Sequence, residues 1–135
     1  LDSDGHADLL VWNDVNMNVM HQVRSVTTTG FVLDSGLSTQ ITAAIAPDKP
    51  MALFASDVDG DGLIDIVYAA GAQIAWLNNI SDTTTKFTRG GTLSTVIGSI
   101  DSLSVGDVDA DGKNDIVIAS KSDKNIKIYI NQATY

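Results

Sequence analysis

The sequence predicts an all-β protein built from repeated four-stranded units, and three observations predict it. The run Asp57-Val58-Asp59-Gly60-Asp61-Gly62-Leu63-Ile64-Asp65 returns as Asp107-Val108-Asp109-Ala110-Asp111-Gly112-Lys113-Asn114-Asp115, and a shortened copy, Asp2-Ser3-Asp4-Gly5-His6-Ala7-Asp8, opens the chain. Each copy runs into a strand-like apolar stretch: Leu9-Leu10-Val11-Trp12, Ile66-Val67-Tyr68-Ala69 and Ile116-Val117-Ile118-Ala119. The chain has no Glu, little Lys and much Val, Ile, Thr and Ser, a composition that disfavours helices. The closing aspartates Asp8, Asp65 and Asp115 are 57 and 50 residues apart, which sets the repeat length.

The strands follow from the acidic loops. In the first repeat they are expected at Asp8–Asn13, Asn18–Val23 and Phe31–Gln40. The second repeat offers Met51–Ser56 before its loop and Asp65–Ala70 after it. The turn Ala70-Gly71-Ala72 then leads to Gln73–Asn78, and the polar loop Asn79–Lys86 leads to Phe87–Val96. The third repeat offers Ser102–Gly106, Asp115–Ser120 and Ile126–Asn131. Trp76 and Tyr129, each followed by an apolar residue and then Asn, read as occupants of comparable places on the third strand of their repeats. Four antiparallel strands in roughly 50 residues form the unit of a β-propeller blade. The expected domain is one propeller segment over 1–135, divided into repeats 1–46 (truncated at its start), 47–98, and 99–135 (truncated at its end). Three, four and three strands make about 2.5 to 3 blades, an incomplete propeller.

The acidic loops carry the chemistry. Each like-charged carboxylate pair at roughly 5 Å and an effective dielectric of about 20 costs about 3 kcal/mol. A divalent cation reverses that repulsion. Calcium takes six to eight oxygens and tolerates irregular geometry, so it suits a bent loop of carboxylates and carbonyls better than magnesium does. Positions 1, 3 and 5 turn carboxylates inward, and the glycine at position 6 permits a positive φ. Position 7 offers its backbone carbonyl, from Leu63 or Lys113, and position 9, Asp65 or Asp115, closes the site. A lone Asp-Gly turn reads as a solvated bend; two full nine-residue matches and a partial third do not. An EF-hand would need Glu at position 12 and a following helix, whereas Tyr68 and Ile118 stand there.

Composition fits this reading. All 17 acidic residues are Asp, and eleven lie in the three loops, so the net charge of −9 is mostly a metal-site charge. Three bound Ca²⁺ would bring it to −3. Scattered lysines and arginines give no basic patch for nucleic acid. No apolar run approaches a membrane span, and the absence of cysteine removes disulfide and thiol chemistry. Leu1 is not a start residue, and the chain begins inside a calcium loop, so it reads as a piece of a longer polypeptide.

The stretches SDVDGDGLIDIVYAAGAQIAWLNN and GDVDADGKNDIVIAS resemble the loop–strand–turn–strand core of the FG-GAP/VCBS repeat family. These are the calcium-loop propeller repeats of integrin α-subunit heads and many secreted bacterial proteins. The likeness is nearer the bacterial VCBS variety, since the Phe-Gly pair and Gly-Ala-Pro triplet are not literal and only Gly71-Ala72 matches part of the latter. The resemblance implies calcium ligands at Asp57, Asp59, Asp61, Asp65 and the Leu63 carbonyl, and at Asp107, Asp109, Asp111, Asp115 and the Lys113 carbonyl. In the first copy it implies Asp2, Asp4, Asp8 and the His6 carbonyl, a partial site. The cofactor expectation is therefore two complete Ca²⁺ sites and one partial one.

The functional expectation is a non-enzymatic adhesion or ligand-binding module, extracellular or at a cell surface, whose partner is a protein or a glycan. The alternatives are the propeller scaffold of a secreted polysaccharide-active enzyme and a purely structural spacer. His6 and His21 sit beside no nucleophile, and no serine lies in a Gly-x-Ser-x-Gly elbow. Trp12, Trp76, Tyr68 and Tyr129 are able to stack on sugar rings but read first as packing between blades. The Thr-rich stretches Val26–Gly30 and Ser81–Lys86 read as solvated connections. Ten strands cannot close a ring, so the missing blades are expected from the parent chain or from self-association.

Overall fold

The structure, a computed structural model, describes residues 1, 4–24, 29–82, 84–95 and 98–132. Asp2, Val26, Thr27, Thr28, Thr83 and Val96 of the expectations above lie outside the described residues. Among the described residues, ten strands form three antiparallel sheets that do not close a ring. The first sheet is β1 (Leu9–Trp12), β2 (Met17–Arg24) and β3 (Thr29–Asp34). The second is β4 (Ala52–Ser56), β5 (Asp65–Ala70), β6 (Gln73–Asn79) and β7 (Phe87–Thr95). The third is β8 (Ser102–Gly106), β9 (Asp115–Ser120) and β10 (Asn125–Tyr129). Within each sheet the strands lie in chain order, as hairpin-linked blades require.

The expected strand Phe31–Gln40 is corrected. It stops at Asp34, and α1 (Ser35–Ile45) follows. Asp34 caps this helix, its Oδ1 accepting the Leu37 N–H at 2.8 Å. Leu37, Ile41 and Ile45, spaced four apart, form its buried stripe. The helix also completes the sheet it follows. Where β3 ends, the backbone N–H groups of Val19 and Met17 donate to Ser38 Oγ and Thr42 Oγ1, both at 2.9 Å. Two hydroxyls one helical turn apart thus satisfy β2 donors that a longer β3 would have paired.

Side-chain alternation assigns the two faces of the second sheet. Ile66, Tyr68, Ala75, Leu77 and Phe87 pack with Met17 and Val19 of the first sheet and with the α1 stripe. Val67, Ala69 and Ile74 pack with Leu103, Val105, Ile116 and Ile118 of the third sheet and with Ile100. The second sheet is therefore covered on both sides. The Tyr68 hydroxyl, at the end of a fully buried side chain, donates to Asp48 Oδ2 at 3.0 Å, and burial pushes its pKa up to about 12. Arg89 clamps the same carboxylate at 2.6 Å.

Only one face of each outer sheet is covered in this way. On the first sheet Leu9 and Leu33 flank Met20 across three strands, and Leu9, Val11, Phe31 and Leu33 are exposed. On the third sheet Ile126 and Ile128 face outward, opposite Ala119 and Val117.

Candidate metal centres and the cleft beside them

The loop between β4 and β5 and the loop between β8 and β9 are turned by their own carboxylates. Asp57 accepts the N–H groups of Gly60 (2.7 Å) and Gly62 (2.9 Å), and Asp107 those of Asp111 (3.1 Å) and Gly112 (2.9 Å). At position 5, Asp61 Oδ1 accepts the Leu63 N–H and Asp111 Oδ1 the Lys113 N–H. Asp4 Oδ1 accepts the His6 N–H at 2.8 Å, so the first copy bends in the same way. The position-6 glycines Gly5, Gly62 and Gly112 all adopt positive φ, near 80° to 86°, as the motif requires.

Two acidic clusters result among the described residues. Asp57, Asp59 and Asp61 each bring a carboxylate oxygen within 4.8 Å of the others, as do Asp107, Asp109 and Asp115. These clusters are compatible with a metal ion: every side-chain donor is an oxygen, the choice of hard cations such as calcium. Asp65 and Asp111 fall outside these groupings, and the expected partial site is seen only through Asp4, His6 and Asp8.

The position-9 aspartates do more than face a loop. Asp65, fully buried, accepts the Val58 N–H at 2.9 Å on one oxygen and the Asn79 N–H at 2.8 Å on the other. Asp115 repeats this with Val108 and Asn131, both at 2.8 Å. Each therefore ties the start of its loop to the end of the third strand. Their electrostatics diverge. Burial, reinforced by the carboxylates of Asp59 and Asp61, pushes the Asp65 pKa up to about 6 against its two N–H donors. Asp115 lies below the usual carboxylate range, held there by the N–H groups of Asn131 and Val108 and helped by the Lys113 ammonium. Asp8 Oδ1 accepts the Gln22 N–H at 3.2 Å, and its Oδ2 lies 3.2 Å from His21 Nδ1, whose Nε2 lies 3.2 Å from Asp34 Oδ2.

Asn79 and Asn131 are site residues that the sequence reading passed over. Asn79 Nδ2 donates to the Ile64 carbonyl at 3.0 Å. Asn131 Nδ2 donates to the carbonyls of Asn114 (3.3 Å) and Val58 (3.0 Å), and Asn114 Nδ2 donates to the Asp57 carbonyl at 2.6 Å. The third sheet thus grips the backbone of the second sheet's loop.

The sequence model of the FG-GAP-like repeat matches residues 57–118, from the first aspartate of one nine-residue loop into the strand that follows the next. That stretch is similar to the FG-GAP-like repeat. No curated protein matches it. The FG-GAP-like segment spans both acidic clusters and most of the interface between the second and third sheets.

That interface holds a cleft of about 340 Å³ lined by Val58, Asp59, Trp76, Leu93, Asn114, Ile116, Tyr129, Ile130, Asn131 and Gln132. Its aromatics correct the expected equivalence of Trp76 and Tyr129. Trp76 lies opposite Val67, on the face that meets the third sheet, while Tyr129 lies opposite Ile116, on the face that meets the second. The structural counterpart of Trp76 is Ile128. The two aromatics are not repeats of each other; they line one cleft from opposite walls.

Proposed function

We propose that this chain is a calcium-stabilised segment of a β-propeller from an extracellular or cell-surface protein, serving as an adhesion or ligand-binding module for a protein or glycan. One observation carries the calcium reading. Two loops of the same nine-residue pattern each gather three carboxylates within 4.8 Å, at hairpins joining the first and second strands of successive blades. Asp57, Asp59 and Asp61 would hold one ion and Asp107, Asp109 and Asp115 the other, with Asp65, Asp111 and the carbonyls of Leu63 and Lys113 available to complete the shells. The bound ion would supply the positive charge that the crowded carboxylates lack, stapling each hairpin in register. The first copy would bind weakly. We read the module as non-catalytic, its loop carboxylates serving as ligands and backbone anchors. No helix among the described residues is long and apolar enough to cross a membrane.

Apolar side chains on the open faces of the outer sheets support a second part of the reading. Leu9, Val11, Phe31 and Leu33 on one end and Ile126 and Ile128 on the other are the positions neighbouring blades would cover. Those blades come from the rest of a parent chain or from further copies. Light scattering after size exclusion checks this: a well-behaved monomer that binds no hydrophobic dye would count against it.

Thermal melting with calcium and with EGTA tests the metal. The expected result is a lower midpoint in chelator, with order in the second blade lost first, and superimposable curves would refute a stabilising ion. Calorimetry is expected to resolve two stronger sites and at most one weak one.

A further inference from the structure

The cleft between the second and third sheets is built around an indole. β7 carries two bulges opposite β6, which leave Gly90 and Leu93 out of register on either side of the Trp76 pair. A Cβ at Gly90 would overlap the Trp76 indole, so only glycine lets the ring lie against that strand. Leu93 stays 42% exposed at the cleft's edge. Tyr129 stands on the opposite wall. Gln132 is exposed at the rim, and Asp59 supplies a carboxylate from the calcium loop.

We propose that this cleft binds one neutral pyranose ring, and that it takes its binding shape only when loop 57–65 holds its cation. This rests on the ligand-binding reading above and names its site and ligand class. The argument is one of matching chemistry. A pyranose has an apolar C–H face that suits an aromatic wall and a hydroxyl edge that suits amide and carboxylate partners. A cleft of about 340 Å³ is at the small end of ligand sites, the size of one ring rather than a chain. No Lys, Arg or His is among the described residues lining the cleft, which disfavours anionic sugars. The dependence on the cation follows from construction: Val58 and Asp59 are both cleft wall and loop, and Asn114 and Asn131 bind the loop's carbonyls from the other wall. A loop splayed by its own repulsion would open the wall.

The test is an NMR titration of the calcium-saturated chain, carrying Trp12→Phe so that Trp76 gives the only indole N–H signal. The probes are glucose, galactose, mannose, fucose and N-acetylglucosamine. Saturable movement of that signal is expected for at least one sugar, with Kd on the order of 1 mM. Gln132→Ala, a surface change that leaves folding intact, is expected to weaken binding about tenfold, and Gly90→Ala to abolish it by displacing the indole. EGTA is expected to abolish it while β9 and β10 signals persist. An indole signal that no sugar moves, in protein shown to be folded and calcium-loaded, would overturn the proposal. A glycan array probed with the wild type and Gln132→Ala separates this failure from that of the wider reading. Equal capture by both proteins sinks the cleft and keeps the glycan-binding module; no capture of any glycan sinks both the cleft and glycan binding.

Discussion

The second and third blades carry the same loop, yet one is enclosed and the other half open. Ile74 and Ile126 occupy equivalent places, each opposite the alanine four residues past its closing aspartate. Ile74 is fully buried between sheets, and Ile126 is 68% exposed. The carboxylates differ as well: Asp65 and Asp115 are both shut off from solvent and accept an equivalent pair of N–H groups, yet in the enclosed blade burial pushes Asp65 up, while in the half-open blade the hydrogen bonds hold Asp115 down. A repeat therefore fixes backbone and carboxylate pattern, while its neighbours fix the energetics of the identical residues. Ile74→Ala is expected to cost about 2–5 kcal/mol, and Ile126→Ala to stay within about 0.5 kcal/mol in the monomer. Urea denaturation of both variants measures the difference. Similar losses would mean that the open face is covered in solution, and a shift in oligomeric state with Ile126→Ala would identify the cover as another copy.

The second contrast is in protons. In calcium-free protein the folded state holds the Asp65 proton up to about pH 6, against 3.8 for an ordinary aspartate. Its contribution to stability is thus favourable below about pH 4 and is lost as pH rises through 6. Asp115 has the opposite sign: its depressed pKa favours the folded state above 3.8 and that contribution disappears as pH falls. Chelator-treated protein is therefore expected to lose stability as pH rises from about 4 through about 6, and Asp65→Ala to flatten that slope where Asp115→Ala does not. A cation seated among Asp57, Asp59 and Asp61 removes the repulsion that helps keep Asp65 protonated. Calcium binding to the second loop at pH 5 should then release protons, and binding to the third should not. Calorimetry in two buffers of different ionisation enthalpy reads this directly, with Asp57→Ala and Asp107→Ala isolating the loops.

The strands were legible because the loops anchor them. Once the nine-residue pattern is placed, Asp65–Ala70, Ser102–Gly106 and Asp115–Ser120 follow to the residue. The helix was not, because Ser, Thr and Ile disfavour helices on average. Its signal was local: the Asp34 cap and the spacing of Leu37, Ile41 and Ile45. The cleft was hidden by a one-residue ambiguity. Asn78 and Asn79 are adjacent, and only the bond from the Asn79 N–H to Asp65 shows which one corresponds to Asn131. The turn of Lys121–Lys124, longer than Gly71-Ala72, adds to the slip. In a strand a slip of one residue moves a side chain to the other face, which is why Trp76 and Tyr129 read as equivalents. The bulged Gly90-Gly91 pair was the remaining sign that something large lay close to the backbone.

The smallest expected difference lies at position 4 of the loops. Gly60 has φ 80° and Ala110 has φ 63°, so both occupy the left-handed region, but only glycine does so without strain. An L-residue there costs roughly 1–2 kcal/mol relative to its preferred conformation, partly offset by the lower entropy of the unfolded chain. Ala110→Gly is therefore expected to stabilise the protein by about 0.5–1 kcal/mol, and Gly60→Ala to destabilise it by a similar amount. Melting in calcium and in EGTA distinguishes backbone strain from altered metal affinity. Strain in the folded chain shifts both curves together. A shift confined to calcium would mean that the alanine acts on the ion, and that the two loops differ in affinity as well as in surroundings.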